Sequence, residues 1–233
     1  MPHIIAEPGE LNASSFTLRK DDYTINGNKL QLGNYVNDLE KLPFEQILSR
    51  GGILVRYSCW LTSMGCTCKY KYGGKFRPCN QYPPWLVKLT KEVAEFMAVD
   101  SYFLGSCVIN KYAVGAHDCY WHADDEILFR ASENDRDTFI VSLPLGATRE
   151  FGVRKKYAKV HEPFISLNEG DLYVMNGRFQ DAYEHSIQKS PNGSTAASFS
   201  SASSSSADTN IRYNFTWRWH RFHNAGCIFA TKR

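Results

Sequence analysis

The stretch "RYNFTWRWH", Arg212 to His220, decides the fold. Polar or charged side chains fall at every second position: Arg212, Asn214, Thr216 and Arg218. Tyr213, Phe215, Trp217 and Trp219 fill the positions between them. Successive side chains of a β-strand point to opposite faces, so this is a strand with one polar and one aromatic face. Two arginines on a buried face would need a reason to be there, because unpaired charge is costly away from water. An edge strand with a solvated polar face accounts for the segment alone equally well. Its surroundings decide between the two.

Immediately before it lies "SPNGSTAASFSSASSSSAD", residues 190–208. This tract has too little apolar content to repay the entropy of ordering, and it reads as a disordered insert between two strands. Further upstream, short apolar segments recur at close intervals: "YFLGSCVINKY", "TFIVSLPLG", "REFGVRK", "PFISL" and "DLYVMNG". Gly, Asn and Asp separate them, as expected of antiparallel strands. "PPWLVKLTKEVAEFMAV" is the clearest helix. Proline opens it, and Trp85, Leu86, Leu89, Val93, Phe96 and Met97 recur at helical spacing. "GILVRYSCWL" reads as a strand, residues 63–84 as loop and hairpin, and "DLEKLPFEQILSR" as a brief helix with Leu42, Phe44 and Ile47 on its apolar side. One main helix beside many short strands points to an α+β, mainly β architecture, a double-sheet barrel with helices packed on one side.

The bulk numbers narrow the class without naming it. The chain has 233 residues, 43% of them hydrophobic and 22% charged, enough for one large domain. A net charge of +3 does not mark a nucleic-acid binder, so only local clustering bears on that question. No secretory signal is expected, and no apolar run is long enough to span a membrane. Seven cysteines without such a signal read as reduced thiols in the cytoplasm or nucleus. Cys66 and Cys68, with Cys79 beyond, lack the paired spacing of a zinc site. His117, His161, His220 and His223 read as surface or satisfied core residues.

"YWHADDE" places His122 and Asp124 two apart, where both side chains reach one point. His185 follows in "FQDAYEHSI". Two histidines and a carboxylate are the ligand set of non-haem Fe(II) oxygenases, which leaves positions open on the metal. On this pattern alone a chance H-x-D remains open. The arginine strand adds weight, because a cosubstrate dianion such as 2-oxoglutarate needs a buried, permanently charged, bidentate partner.

Together "INKY", "WHADDE", "GDLYVMNGRFQDAYEHSI" and "RYNFTWR" resemble the AlkB family of Fe(II)/2-oxoglutarate-dependent dioxygenases, over about residues 84–219. The resemblance implies a double-stranded β-helix (jelly-roll) core with N-terminal helices and a lid hairpin. Residues 1–83 would form an N-terminal extension and substrate lid. Residues 84–233 would form the dioxygenase core, the whole being one structural unit. It implies His122, Asp124 and His185 as iron ligands. It implies Asn110, Tyr112, Arg212, Asn214, Thr216 and Arg218 around the cosubstrate, with Arg212 on its far carboxylate and Arg218 also bracing Asp124.

The implied reaction uses Fe(II), 2-oxoglutarate and O2. It converts the cosubstrate to succinate and CO2 and hydroxylates a substrate carbon. An N-methyl carbon is then released as formaldehyde. The implied partner is alkylated DNA or RNA, acted on by a monomer away from membranes. Tyr70 and Tyr72, interleaved with Lys69, Lys71 and Lys75, suit base stacking and phosphate contact. Asp125 or Glu126 would accept from an exocyclic amine, and Arg154, in the basic run "VRKKYAK", would meet phosphate. A protein or lipid substrate, or a binding module that lost catalysis, stays open at this point. As ligands in a surface cleft, His122 and Asp124 are expected to contribute little to core burial.

Overall fold

The computed structural model describes residues 31–72, 75–129, 138–190 and 210–230, together with the backbone of two strands before them. The side chain of Tyr72 and nearly all of the Ser-rich tract lie outside the described residues.

The strands in chain order are β1 (His3–Ala6), β2 (Ser15–Arg19), β3 (Glu45–Leu48), β4 (Leu54–Thr62), β5 (Tyr70–Tyr72), β6 (Lys75–Arg77) and β7 (Asn80–Gln81). After them come β8 (Ser106–Tyr112), β9 (Cys119–His122), β10 (Thr138–Gly146), β11 (Arg149–Lys155) and β12 (Ile165–Leu167). Last are β13 (Leu172–Gly177), β14 (Tyr183–Ile187) and β15 (Arg212–Arg218). Three helices join them: α1 (Val36–Leu39), α2 (Pro84–Phe96) and α3 (Phe179–Ala182).

The larger sheet runs β1-β2-β13-β10-β15-β8-β4-β3, and the smaller runs β12-β11-β14-β9. From β8 onward the chain passes back and forth between the two: β8, β10, β13 and β15 in one, β9, β11, β12 and β14 in the other. Ile140, Tyr173 and Met175 from the larger sheet meet Phe151, Val153, Leu167 and Ile187 from the smaller in one buried cluster. Two antiparallel sheets closed over such an interior match the jelly-roll expectation.

The aromatic face of β15 is buried on the other side of the larger sheet. Tyr213, Phe215 and Trp217 join Leu86, Leu89 and Val93 of α2 in the main core. Trp217 Nε1 donates to Thr90 Oγ1 at 3.0 Å, which satisfies the one polar atom of that ring. The strand is therefore anchored by its aromatics, and its polar face is turned to the space between the sheets. β15 lies inside the sheet, flanked by β10 and β8, which removes the edge-strand alternative.

One local expectation differs. The helix near residue 40 ends at Leu39, and Glu45–Leu48 is a strand paired with β4. Pro43 explains the break, since it biases the residue before it away from helix and the segment beyond it finds a strand partner. Sheet pairing also runs across residue 84. β4 pairs with β8 through Tyr57↔Lys111 to Thr62↔Ser106, so part of the preceding segment belongs to the larger sheet.

Candidate active site

His122 ends β9 and His185 lies on β14, directly opposite in the strand register. Their ring centroids are 4.3 Å apart. The chain leaves β9 after His122 and brings the Asp124 carboxylate near both rings. His122 Nε2 is 3.6 Å from Asp124 Oδ1, and His185 Nε2 is 3.9 Å from Asp124 Oδ2. These three residues form a group that could hold a metal ion. Two imidazoles and a carboxylate on one side of a point suit non-haem Fe(II).

Asp124 is held from two directions. Arg218 Nη2 donates to its Oδ2 at 2.7 Å. Its backbone N–H donates to Oε1 of Gln180 at 2.9 Å. Gln180 is fully buried on α3 and its amide reaches Met175 Sδ, so the acceptor is fixed in place. Sequence reading passed over Gln180, because a glutamine in a four-residue helix carries no spacing signal. Asp124 is 2% exposed, a buried carboxylate and not a surface ligand. Burial alone would raise its pKa, yet Arg218, His122 and His185 hold it well below the usual carboxylate range. Burial would depress both imidazoles. It does so for His185, with the charge of His122 adding, down to about 3. At His122 the neighbouring Cys119 thiol and Asp124 outweigh burial and lift it to about 9.

The polar face of β15 forms a chain of hydrogen bonds behind this group. Arg212 Nη2 donates to Asn214 Oδ1 at 3.3 Å, and Asn214 Nδ2 donates to Thr216 Oγ1 at 2.9 Å. Register pairs Arg212 with Tyr112 and Asn214 with Asn110, so β8 shares the face. A cavity between the sheets is lined by Asn110, Tyr112, His122, Asp124, His185, Asn214, Thr216 and Arg218. Arg212 is fully buried, and its other donor group reaches the carbonyls of Ala147 and Leu167, both at 3.2 Å. No carboxylate pairs with it among the described residues. Arg212 Nε, Arg218 Nε and Nη1, and His185 Nδ1 are buried and find no hydrogen-bond partner among the described residues. Arg218 lines that cavity with Arg212 behind it, and unmet guanidinium donors beside a cavity fit an anionic ligand.

A second cleft shares Asn110, His122, Asp124 and Arg218 with this cavity and extends on its outer side past Trp60, Tyr70 and Arg77. Tyr70 stacks on Trp60, centroids 4.6 Å apart and 23° between planes. Its hydroxyl donates to Glu126 Oε1 at 2.6 Å. Lys69, Lys71, Lys75 and Phe76 are exposed around the β5–β6 hairpin. Arg56, another cation missed in the sequence, lines this cleft and donates to Asn110 Oδ1.

Two expected substrate residues sit elsewhere. Asp125 is held by Lys156 at 2.7 Å. Arg154 is paired with Glu184 at 2.7 Å and lies over the Trp121 ring, lining neither cleft. Alternation explains this: Val153, opposite His185, faces the interior, so Arg154 faces out.

The chain belongs to the 2OG-Fe(II) oxygenase superfamily, whose model matches residues 38–218, and it is an AlkB-like member of it. The superfamily works with Fe(II), 2-oxoglutarate and O2. Among curated proteins, the chain is 30% identical over 120 residues to the bovine (Bos taurus) alpha-ketoglutarate-dependent dioxygenase alkB homolog 3, covering 48% of this chain and 39% of that one. The human (Homo sapiens) protein of that name is 34% identical over 92 residues, 36% of this chain and 30% of that one. The Arabidopsis thaliana DNA oxidative demethylase ALKBH2 is 23% identical over 175 residues, 63% and 52%. The chain thus spans about half or less of these relatives. A solved structure titled "The structure of OsALKBH1" superposes with TM-score 0.56 at 17% identity, over 88% of this chain and 96% of that one, a likeness of fold. No helix among the described residues is long and apolar enough to cross a membrane.

Proposed function

We propose that this chain demethylates N-alkylated bases in DNA or RNA, with His122, Asp124 and His185 holding Fe(II). The observation that carries the reading is the outer cleft. An aromatic wall of Trp60 stacked on Tyr70 stands beside Asp124 and Arg218, with exposed lysines on the adjoining hairpin. A flipped base needs a flat, apolar, water-excluding surface near the metal and cations outside for the phosphates. Relatives whose names include a DNA oxidative demethylase agree with this substrate class.

When bound, iron and 2-oxoglutarate supply the oxidising chemistry, converting the cosubstrate to succinate and CO2 and hydroxylating the methyl carbon. The chain supplies the rest. Arg212, Asn214 and Tyr112 grip the far end of the cosubstrate. Asn110 and Arg218 act at its near end, Arg218 while keeping Asp124 ionised and oriented. Glu126 fixes the Tyr70 ring through its hydroxyl, and its second oxygen, buried and without a partner among the described residues, is our candidate acceptor for an exocyclic amine. Lys156 engages Asp125, so the acceptor role is assigned to Glu126, and Arg154, the proposed phosphate contact, is paired with Glu184.

The test is a panel of single- and double-stranded DNA and RNA carrying 1-methyladenine or 3-methylcytosine, with Fe(II), 2-oxoglutarate and ascorbate. Demethylated nucleoside and formaldehyde are expected from at least one strand. Succinate formed without demethylation of any strand would move the substrate to another class, such as a protein or lipid.

Gln180→Leu gives a narrower prediction. Removing the acceptor of the Asp124 N–H loosens one ligand, and groups that orient ligands are worth roughly 10–100-fold in metal affinity. Fe(II) or Mn(II) titration should show a loss of that order, with the fold retained. Unchanged affinity would show that Arg218 alone positions Asp124.

A further inference from the structure

Away from the active site, five metal-ligating side chains from distant parts of the sequence meet. Cys66, Cys68, His220 and His223 can each place a ligand atom within 4.8 Å of the others. Cys227 adds a third thiol. His223 Nδ1 is 3.7 Å from Cys66 Sγ, 3.6 Å from Cys68 Sγ and 3.4 Å from Cys227 Sγ. Tetrahedral zinc, with Zn–S of about 2.3 Å and Zn–N of about 2.0–2.1 Å, requires S···N edges of roughly 3.6 Å. The three distances fall around that value.

Packing alone does not account for this arrangement. His223 Nδ1 can satisfy one of the three thiols around it and His220 Nδ1, 3.9 Å from Cys66 Sγ, a second, which leaves the third without an imidazole. No disulfide joins these cysteines, and Cys66 and Cys68 are fully buried. The surroundings are those of a metal-bound thiolate: the Asn224 N–H donates to Cys68 Sγ at 3.3 Å. His220 stacks on His223, centroids 4.2 Å apart, with its Nε2 against the Phe222 carbonyl. It is the flanking ring that completes the pocket.

We infer that Cys66, Cys68, His223 and Cys227 form a structural zinc site. The motif is C-x-C in the loop after β4 and H-x3-C in the segment after β15. Thiolates select zinc over the harder ions, and four protein ligands leave no open position for chemistry. The site ties the C-terminal segment to the loop that leads into Tyr70. Trp60 Nε1 donates to the Cys68 carbonyl at 3.3 Å, so the staple also fixes the aromatic wall of the outer cleft. Cys79 belongs elsewhere, its Sγ lying 3.0 Å from Thr62 Oγ1.

Elemental analysis of the full chain, purified without chelators, tests this. One zinc per chain is expected. It should persist in the His122→Ala/His185→Ala variant, which lacks the other metal group, and disappear in Cys66→Ser/Cys68→Ser. Cobalt(II) in its place should give thiolate charge-transfer absorption, a signal that the His-Asp-His group has no sulfur ligand to produce. A chain without zinc, zinc that survives loss of both cysteines, or a denatured mass two hydrogens low with Cys66, Cys68 or Cys227 cross-linked would each overturn the assignment. Should the double cysteine variant fail to fold, the parent's zinc content and cobalt spectrum still decide the matter.

Discussion

Asp124→Ala is expected to abolish 2-oxoglutarate turnover and to destabilise the protein, whereas His122→Ala is expected to abolish turnover alone. Both remove a ligand of the proposed iron site. They differ in what they leave behind. The His122 side chain is 26% exposed, so water fills its place cheaply. The Asp124 side chain is 3% exposed and its Oδ2 receives Arg218, itself 5% exposed. Removing one partner of a buried ion pair strands the other, at a cost of about 3–5 kcal/mol. For a chain of this size that lowers the melting temperature by on the order of 10 °C. Calorimetry and a succinate assay on the two variants separate the effects. Equal stability of the two would mean that Arg218 finds another partner or water. Full turnover by either would remove the iron assignment. Adding Arg218→Met to Asp124→Ala should recover much of the lost stability, since the stranded charge goes with it.

This difference was hidden in the sequence, where H-x-D says that two side chains share a side but not how deep they lie. Depth came from β15, which brings Arg218 across the interior to meet Asp124. The strand pattern itself was plain to read. The alternation of residues 212–218 separates the polar cavity face from the α2-facing aromatics as its period implies. The apolar periodicity of residues 84–96 likewise places Leu86, Leu89 and Val93 against the sheet. What could not be read were contacts made by folding distant segments together. Cys79 is the nearer neighbour of Cys66 and Cys68 in the chain, so it drew attention as a third thiol. The residues that meet them, His223 and Cys227, lie at the far end and share no local spacing with C-x-C. A basic run looks like one surface, but in a strand it alternates, and Arg154 turned to Glu184.

Arg212→Lys is expected to raise the 2-oxoglutarate concentration needed for half-maximal turnover by about 10–100-fold, equivalent to about 1.4–2.8 kcal/mol. The reasoning starts from burial. Arg212 has no exposed surface, and it donates hydrogen bonds to two backbone carbonyls and the Asn214 amide oxygen. A cation so placed, with Nε unmet, is poorly compensated by neutral acceptors and gains most from an anion brought to it. Burial pulls its pKa down, but a guanidinium starts too high to lose its proton. Lysine keeps the charge and gives up the planar fork, so the bidentate contact is lost while one ionic contact survives. Arg212→Ala is the poorer experiment, because it also opens a cavity and frees the Ala147 and Leu167 carbonyls, mixing instability with lost binding. With lysine, turnover at saturating 2-oxoglutarate should stay near that of the parent, the mark of binding that is equal in ground and transition states. An unchanged requirement for 2-oxoglutarate would place the far carboxylate elsewhere, with Arg56 in the outer cleft the next cation to test.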